Sequence, residues 1–286
     1  MVLSDKCRLN GIEAVVATDF DGTLLQSDHT VSEKSRKTLE MLGDIGVLRV
    51  IATGRSFYSL QKVLKDDLPV DYLIVASGAG IYCRESRKLI YKTDLAKADT
   101  ELIGDYLKEL GCDFMVHLPL PDNHKFLFHK KNGDNPDYDS RYNIYADHGV
   151  PLRDFSDLES GSSQFLVIDP PGGSIYNQLA EALTGYTIIR TTSPLDHGST
   201  WIEIFPIKTD KGQTLKILTE NYSLTAGNVL TIGNDFNDLH MLRWSKESRV
   251  VENAHPDLKA EFETVSSNDN DGFTEAVEEW LEKREK

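Results

Sequence analysis

Several residue types that mark particular protein classes are scarce in this chain. Its 286 residues include three cysteines, Cys7, Cys83 and Cys112, which lie far apart and show no CxxC spacing. The pattern predicts neither a disulfide framework nor a cysteine zinc site, and reduced thiols are expected. Basic residues are also few, since 31 Lys and Arg face 46 Asp and Glu, a formal net charge of −15. This balance disfavours nucleic acid and anionic membranes as partners, because both require a basic face.

Long apolar runs are missing as well. The N-terminal residues 1–13 lack the apolar core of a signal peptide, and no stretch approaches the length of a membrane span. We therefore expect a cytoplasmic protein with no membrane partner. The eight histidines show neither HExxH nor HxH spacing, which disfavours a zinc hydrolase. His117, His124 and His129 are expected to be hydrogen-bonded or surface residues, with a substrate role for one of them left open.

The first eighty residues alternate between two kinds of pattern. Apolar, β-branched runs at 13–20, 47–52 and 72–76 are typical of buried parallel strands. Amphipathic segments at 32–42 and 57–64 lie between them and predict helices. A strand–helix–strand rhythm with short connections predicts a doubly wound parallel sheet.

The middle of the chain has a different pattern. Between Tyr82 and Pro206 the sequence predicts hairpins (80–83 with 89–92, and 114–116 with 125–129) and helices (99–110, 138–147 and 174–183). After Pro206 the alternation returns, with helices at 212–220, 238–244 and 274–283 and strands at 228–232 and 249–251. The predicted fold class is therefore α/β: a doubly wound, Rossmann-like core formed by residues 1–82 and 207–286, interrupted by an α+β domain at 83–206.

Two aspartates follow the first predicted strand, in the run Asp19-Phe20-Asp21-Gly22-Thr23-Leu24. Residues two apart in an extended chain face the same side, so Asp19 and Asp21 share one space. Carboxylates this close repel each other unless a cation lies between them, and a hard divalent ion such as Mg²⁺ suits oxygen ligands. Ligands in open α/β sheets bind at such strand ends. The alternative is a simple DxD turn capped by aspartate.

Three further segments carry weaker signals of the same kind. Thr53-Gly54-Arg55 follows the second strand and suits a phosphate oxygen, and Lys211 opens a predicted helix with a point charge. The third segment runs from Gly233 to Asp238 after another strand and offers oxygen ligands for a metal or a phosphate. Alone, each segment is as readily an ordinary turn or a solvated lysine.

Taken together and in this order, these motifs resemble those of a known family. The set DxDGT, TG, K and G-[DN]-x-x-N-D resembles the haloacid dehalogenase (HAD) superfamily of phosphohydrolases. The runs DFDGTL, IATGR, TDKG and IGNDFND are similar to the Cof-type subfamily, whose large α+β cap lies between the second and third motifs. The predicted insertion lies at that place.

The resemblance implies a catalytic role for three residues. Asp19 would attack phosphorus and form an aspartyl phosphate, while Asp21 would protonate the leaving oxygen and later activate water. Lys211 would neutralise charge on Asp19 and on the transferring group, and would also contact the phosphate. The resemblance also implies that Thr53, Gly54, Arg55 and Asn237 bind the phosphate or the substrate. For Arg55, a salt bridge is an equal alternative.

The resemblance also implies an Mg²⁺ ion held by Asp19, the Asp21 backbone carbonyl and the fourth motif, with Asn234 and Asp238 as candidates. This motif departs from the family pattern, because Asn234 stands where an aspartate is usual. An amide oxygen can ligate Mg²⁺ but brings no charge. Asp235 is the alternative ligand, and Asp238 would then orient Lys211 or a metal-bound water.

The implied function is an Mg²⁺-dependent phosphatase that acts on a small phosphorylated metabolite, such as a sugar phosphate, through an aspartyl phosphate. The cap would close over the core and select the substrate, but no cap motif indicates which one. The expected state is a monomer or small homo-oligomer. Two alternatives stay open: a phosphomutase or phosphotransferase of the same superfamily, and a non-catalytic protein that binds a phosphorylated metabolite.

Overall fold

The computed structural model describes residues 3, 9, 11–131 and 133–284. The chain divides into two compact units. The first unit contains Met1–Arg55, Leu60–Tyr91 and Asp210–Lys286, and the second contains Ser56–Ser59 and Lys92–Thr209.

The strands of the described residues are numbered in chain order. They are β1 (Ala14–Thr18), β2 (Val47–Ala52), β3 (Tyr72–Val75), β4 (Gly80–Cys83), β5 (Lys88–Lys92), β6 (Phe114–His117), β7 (Phe126–His129), β8 (Gly149–Pro151), β9 (Gln164–Asp169), β10 (Tyr186–Thr192), β11 (Thr200–Pro206), β12 (Val229–Gly233), β13 (Glu247–Val251) and β14 (Thr264–Val265).

The helices are numbered in the same way. They are α1 (Glu33–Asp44), α2 (Phe57–Gln61), α3 (Lys97–Glu109), α4 (Pro136–Ile144), α5 (Ile175–Ala182), α6 (Lys211–Glu220), α7 (Leu239–Trp244), α8 (Pro256–Glu261) and α9 (Gly272–Arg284).

The first unit is built on an eight-stranded sheet with the order β14-β13-β12-β1-β2-β3-β4-β5. Strand β1 pairs in parallel with both β2 and β12, and β3 pairs in parallel with β2. All five residues of β1 are buried, as expected for a central strand covered on both faces. The sheet is therefore doubly wound, and the predicted α/β fold class is confirmed.

The second unit contains a six-stranded sheet with the order β10-β11-β9-β6-β7-β8. Its strands pair in antiparallel fashion except β7 and β8. Because side chains alternate across a strand, the sheet has two faces. One face packs Phe114, Phe165 and Ile204 with helix residues such as Ile103 and Leu179. The other face packs Met115, Phe126 and Leu166 with Tyr138 of α4.

Most predicted elements are present, but the predicted domain boundaries differ from the division into units. We expected residue 83 to begin the inserted domain, whereas β4 pairs with β3 and β5 extends the same sheet. The hairpin therefore belongs to the first unit, and the long segment of the second begins at Lys92. This segment ends at Thr209 rather than at residue 206. Strands β9, β10 and β11 were not predicted, because the sequence pattern of that region indicated only one helix.

The cysteines differ in part from the expectation of reduced thiols. Cys112 is free and buried, and burial raises the pKa of its thiol to about 11. Cys83, buried at the end of β4, is disulfide-bonded, so the expectation is wrong for this residue. Spacing along the sequence does not show which distant cysteines approach within bonding distance. Cys7 lies outside the described residues. Within the described ranges, no helix is long and apolar enough to span a membrane.

Gly104 provides a test of packing in the second unit. It lies inside α3, where alanine would be preferred by about 1 kcal/mol on helix propensity. However, a Cβ at this position would lie 1.8 Å from the Phe155 ring. We predict that Gly104→Ala lowers the free energy of unfolding, because overpacking costs about 1–3 kcal/mol. Urea denaturation measures the change.

Two further variants identify the cause of that change. Gly104→Ala combined with Phe155→Leu recovers part of the loss, because the smaller side chain can yield space. Gly185→Ala, at a position with open space beside it, serves as the control and has little effect. Equal losses in the single and double variants would contradict the packing explanation.

Candidate active site

The candidate site residues follow neighbouring strands of the first unit. Thr18, at the end of β1, pairs with Ile51 of β2 and Ile232 of β12. The three strands are parallel, so the segments that follow them leave the sheet at one edge. Asp19, Thr53 and Asn234 begin or lie within these three segments. The topology therefore brings together residues that are more than 200 positions apart in the sequence.

The centre of the site is a buried lysine between two carboxylates. Lys211 Nζ donates hydrogen bonds to Asp19 Oδ1 and to Asp238 Oδ1, each at 2.6 Å. The Lys211 and Asp238 side chains are fully buried, and Asp19 is nearly so. Lys211 is the first residue of α6, whose N-cap Asp210 accepts a hydrogen bond from the Gln213 N–H. The helix start thus fixes the point from which the lysine reaches the sheet edge.

Burial and charge shift the pKa values of this pair. Burial raises the pKa of Asp19 to about 7, against the attraction of Lys211 and with the repulsion of Asp238 and Asp21. Burial alone would lower the pKa of Lys211, but Asp19 and Asp238 hold it above its usual range. Lys211 is therefore a charged ammonium at neutral pH. Because the pKa of Asp19 is about 7, the fraction of Asp19 that is ionised at neutral pH depends on nearby cations.

Asp238 connects the lysine to the segment that follows β12. Its Oδ2 accepts hydrogen bonds from the backbone N–H groups of Asn234 at 2.9 Å and Asp235 at 3.2 Å. Both carboxylate oxygens of Asp238 are thus engaged with protein donors. This arrangement favours the role of orienting Lys211 over that of a direct metal ligand.

Asp21 forms an ion pair with Arg55 across the site. The guanidinium binds both carboxylate oxygens, Nε to Oδ2 at 2.7 Å and Nη2 to Oδ1 at 2.6 Å. The Arg55 backbone N–H also donates to Thr53 Oγ1 at 3.1 Å. Of the two alternatives for Arg55, this geometry favours the salt bridge. The same residue joins the first and second motifs.

Oxygen-bearing groups that could serve as metal ligands belong to the first and fourth motifs. Gly22 turns the chain with a φ of 71°, and a Cβ there would lie 2.8 Å from the Asn234 side-chain amide. That amide lies 3.3 Å from the Asp21 carbonyl oxygen. Rotation of the amide by 180° would present its oxygen instead, because the two ends of a carboxamide have nearly the same shape. The Asp21 carbonyl, the Asn234 amide and the Asp19 carboxylate therefore fit the all-oxygen preference of Mg²⁺.

This ligand set is not a cluster of acidic side chains. No group of three or more His, Cys, Asp or Glu residues has the arrangement of a metal site in the part of the chain that the structure describes. Such a group needs three side chains of these types, whereas two of the three candidate ligands are the Asp21 backbone carbonyl and the Asn234 amide.

A second group of residues lies beside Gly54. The space that a Cβ on Gly54 would fill is 3.5 Å from Asn237 Nδ2 and 3.4 Å from Ser77 Oγ. Ser77 adopts a left-handed backbone conformation with a φ of 51°, and its N–H donates to the Thr53 carbonyl. We did not predict a site role for Ser77. Nothing in the sequence indicated that Ser77 lies beside Gly54.

Comparison with known proteins shows the family to which the chain belongs. A family model described as haloacid dehalogenase-like hydrolase matches residues 16–277, which include every candidate site residue. The chain belongs to the haloacid dehalogenase-like hydrolases. The predicted resemblance is therefore confirmed, and so is the prediction of an enzyme of the HAD phosphatase type.

Named relatives of this HAD chain cover nearly its whole length. It is 27% identical to the 5-amino-6-(5-phospho-D-ribitylamino)uracil phosphatase YwtE of Bacillus subtilis, over 93% of this chain and 97% of the relative. It is 24% identical to the HMP-PP phosphatase of Yersinia pseudotuberculosis, over 93% and 95%. The solved structure of BT1666 from Bacteroides thetaiotaomicron superposes with a TM-score of 0.76 at 22% identity, covering 96% and 98%.

The buried lysine generates a prediction about stability. Lys211→Met leaves two buried carboxylates without a cation, which costs about 3–5 kcal/mol near neutral pH. Without the ammonium, the folded-state pKa of Asp19 rises further above its unfolded value, so stability is lost as pH increases from about 5 towards 8. We expect the melting temperature of the variant to fall further below wild type at pH 8 than at pH 5.5, in the presence of EDTA.

A matched variant shows whether the unpaired carboxylates cause the loss of stability in Lys211→Met. Lys211→Met combined with Asp238→Asn removes one of the two charges, and it recovers part of the loss at pH 8. A loss of the same size at both pH values would mean that lost packing, rather than unpaired charge, destabilises the variant.

Proposed function

We propose that this HAD hydrolase is an Mg²⁺-dependent phosphatase of a small phosphorylated metabolite, and that it acts through an aspartyl phosphate. The observation that carries the proposal is the pair of hydrogen bonds at 2.6 Å from buried Lys211 to Asp19 and Asp238. Among the donors of the described residues, only Lys211 contacts the Asp19 carboxylate, and it contacts Oδ1. Asp19 Oδ2 is then the oxygen available to attack phosphorus.

The proposed reaction has two balanced steps. In the first, an Asp19 carboxylate oxygen bonds to phosphorus while the bond between phosphorus and the ester oxygen breaks, and Asp21 gives that oxygen a proton. In the second, water bonds to phosphorus, Asp21 takes the water proton, and the bond to Asp19 breaks. Asp21 thereby returns to its starting protonation state.

Asp21 can perform this role only when its oxygens are released from Arg55, which binds both of them. Exchange of that ion pair is therefore part of the proposed cycle. When the ion pair is closed, Arg55 occupies both carboxylate oxygens of Asp21, with Nη2 at 2.6 Å from Oδ1. We propose that substrate binding provides the competing contacts.

The remaining candidate residues would bind the phosphate group. Thr53 and Gly54 begin the segment after β2, and Asn237 Nδ2 lies 3.5 Å from the space that a Cβ on Gly54 would fill. A hydroxyl, a backbone amide and a carboxamide suit the oxygens of a phosphoryl group. Lys211 would offset the repulsion between the Asp19 carboxylate and the incoming phosphate.

For the metal, we propose Asp19, the Asp21 carbonyl and Asn234 as ligands, with Asp235 as the alternative in the fourth motif. Asp238 belongs to the same predicted set, but its hydrogen bonds point to a role through Lys211. When bound, Mg²⁺ supplies positive charge that reduces repulsion between carboxylate and phosphate.

The substrate class is proposed from the named relatives. YwtE and the HMP-PP phosphatase are named for small phosphorylated organic molecules, and both align over 93% of this chain. We propose a small phosphorylated metabolite of that general kind, with sugar phosphates as the first compounds to examine. A cytoplasmic location, a monomer or small homo-oligomer, and the lack of nucleic-acid or membrane partners stay predictions.

The nucleophile is tested by removing its charge. We predict that Asp19→Asn lowers hydrolysis of p-nitrophenyl phosphate in Mg²⁺ by on the order of a thousandfold or more, because loss of one member of a catalytic group removes most of its effect. Release of p-nitrophenol measures the rate. Asp44→Asn, an exposed position at the end of α1, is the matched control and retains wild-type activity.

The outcomes separate the competing functions. Near-wild-type hydrolysis by Asp19→Asn would contradict the nucleophile assignment. Wild-type protein that binds phosphorylated metabolites without hydrolysing any would support the binding-protein alternative. Transfer of the phosphoryl group to a sugar, with little free phosphate released, would support a phosphotransferase.

The metal ligand is tested at the residue that departs from the family pattern. We predict that Asn234→Asp retains activity and lowers the Mg²⁺ concentration needed for half-maximal rate, because a carboxylate adds charge to the ligand set. Mg²⁺ titration of the initial rate measures the shift. Complete loss of activity in a folded variant would count against Asn234 as a ligand.

A control separates direct ligation from general electrostatics. Asn253 donates a hydrogen bond to the Gly22 carbonyl at 2.8 Å, so it lies near the same loop. Asn253→Asp adds the same charge without adding a ligand to the proposed set. We expect a smaller shift in Mg²⁺ dependence than for Asn234→Asp.

A further inference from the structure

The turn between β3 and β4 in the first unit has a strained backbone. Ala76, Ser77 and Gly78 have φ values of 49°, 51° and 112°, so three consecutive residues lie in the left-handed region. We name these residues the left-handed turn. Ala76 and Ser77 each carry a Cβ that makes this region unfavourable, and both are at most 1% exposed. A hairpin connection of this length is most often built around an ordinary type I turn, so the pairing of β3 with β4 does not require the strain.

Hydrogen bonds hold the left-handed turn against the segment that follows β2. The Ala76 N–H donates to the Arg55 carbonyl at 2.9 Å, and the Ser77 N–H donates to the Thr53 carbonyl at 3.0 Å. Thr53 and Arg55 belong to the second motif, which contains the residues proposed to bind the phosphate group. The turn is therefore fixed to the backbone of the proposed phosphate site.

The left-handed turn also contacts the start of α6. Thr214 Oγ1 donates a hydrogen bond to the Gly78 carbonyl at 2.7 Å, and Thr214 is 1% exposed. A Cβ on Gly78 would lie 2.4 Å from the carbonyl oxygen of Asp210, the N-cap of α6. The two backbones thus meet at a distance that glycine allows and a larger residue does not. Lys211 follows Asp210 directly, so the turn touches the chain at the residue before the buried lysine.

The first turn of α6 has a second backbone neighbour. A Cβ on Gly212 would lie 2.6 Å from the carbonyl oxygen of His240, which belongs to α7. Helix α7 begins directly after Asp238, the carboxylate that accepts a hydrogen bond from Lys211 together with Asp19. The left-handed turn and α7 therefore both contact the residues on either side of Lys211, and loss of the turn would leave one of these two contacts.

We propose that the left-handed turn and Thr214 position Lys211 relative to the second motif. The turn is hydrogen-bonded to Thr53 and to Thr214, so it joins the phosphate-binding segment to the helix that carries the lysine. The proposal rests on the proposed phosphatase function, which assigns Thr53 and Lys211 to the same phosphoryl group. Thr214 touches neither the phosphoryl group nor Asp19 in this scheme, and it is therefore a positioning residue.

The placement of Lys211 matters because its charge acts on the transition state. In the proposed reaction it offsets the repulsion between Asp19 and a phosphoryl group that Thr53 holds. Misplacement of such groups by about 1 Å can lower a rate by about a hundredfold. The strain of the left-handed turn then has a cause. It directs the N–H groups of Ala76 and Ser77 to the second motif and the carbonyl of the next residue to α6.

The first test removes the hydroxyl that joins Thr214 to the left-handed turn. Thr214→Val keeps the shape of the side chain and leaves the Gly78 carbonyl without its donor. With p-nitrophenyl phosphate in Mg²⁺, we expect kcat to fall about tenfold or more, with a smaller change in KM. Thr214→Ser retains the hydroxyl and recovers most of kcat.

Thr219→Val is the matched control on the same helix. Thr219 is buried, and its Oγ1 has no hydrogen-bond partner among the described residues. The substitution removes the same atom without removing a hydrogen bond, so we expect kcat to stay as in the wild type. Equal losses in Thr219→Val and Thr214→Val would overturn the proposal, because the packing of α6 would then determine the rate.

A second measurement follows Lys211 without using activity. In protein that contains isotope-labelled lysine, nuclear magnetic resonance detects a buried ammonium because its protons exchange slowly with water. The Lys211 signal is identified by its absence in Lys211→Arg, which keeps the positive charge. We expect this signal to shift in Thr214→Val and to keep its wild-type position in Thr219→Val and Thr214→Ser.

A smaller side chain provides a second variant at the same position. Thr214→Ala is used if circular dichroism shows that Thr214→Val is not folded. It leaves room for a water molecule to pair with the Gly78 carbonyl, so that carbonyl does not stay unpaired. The connection between the turn and α6 is still lost, and we expect the same fall in kcat and a shift of the Lys211 signal.

The outcomes separate this proposal from the proposed function. A wild type that hydrolyses no phosphate ester contradicts the phosphatase function, while a shifted Lys211 signal in Thr214→Val still supports positioning of the lysine by the left-handed turn. An unchanged signal in the folded variant overturns the proposal, whatever the rate. A shifted signal with wild-type kcat overturns it as well, because the place of Lys211 would then not affect the reaction.

Discussion

The candidate site depends on one buried ammonium held between two carboxylates. Lys211 contacts Asp19 and Asp238 at 2.6 Å in a region without solvent, so neither carboxylate can be buried at low cost without it. Asp238 connects Lys211 to the segment after β12, because its carboxylate also accepts hydrogen bonds from the backbone N–H groups of Asn234 and Asp235. A single side chain on α6 therefore organises segments that follow two different strands. The packing at this edge of the sheet and the proposed chemistry involve the same contacts.

The second ion pair of the site has a different character. Arg55 and Asp21 are partly exposed, and the guanidinium binds both carboxylate oxygens in parallel. An exposed pair exchanges more readily than a buried one, since water screens the charges and competes for the hydrogen bonds. The site thus combines a rigid buried pair, suited to holding the nucleophile, with an exchangeable pair, suited to a residue that must gain and lose a proton. This division agrees with the distinct roles proposed for Asp19 and Asp21.

The second unit places its polar residues differently. His117 and Gln164 occupy neighbouring strands on a face whose other members include Met115, Phe126 and Leu166. Polar side chains on an otherwise apolar face weaken packing unless something satisfies them. Gln164 meets part of this requirement through its hydrogen bond to Glu203 at 2.8 Å. The resemblance at the motifs carries no information about these residues, because none of them belongs to a motif.

The sequence alone predicted the parallel sheet and most of its strands and helices, because buried strands and helix starts are local patterns. It did not predict α8 or β14. It did not predict that β4 and β5 extend the first sheet, that Cys83 is bonded, that Arg55 pairs with Asp21, or that Ser77 lies beside Gly54. Each of these depends on contacts between segments distant in the chain. Only the tertiary structure decides such contacts, since strand pairing and burial determine which side chains meet and what charge each one experiences.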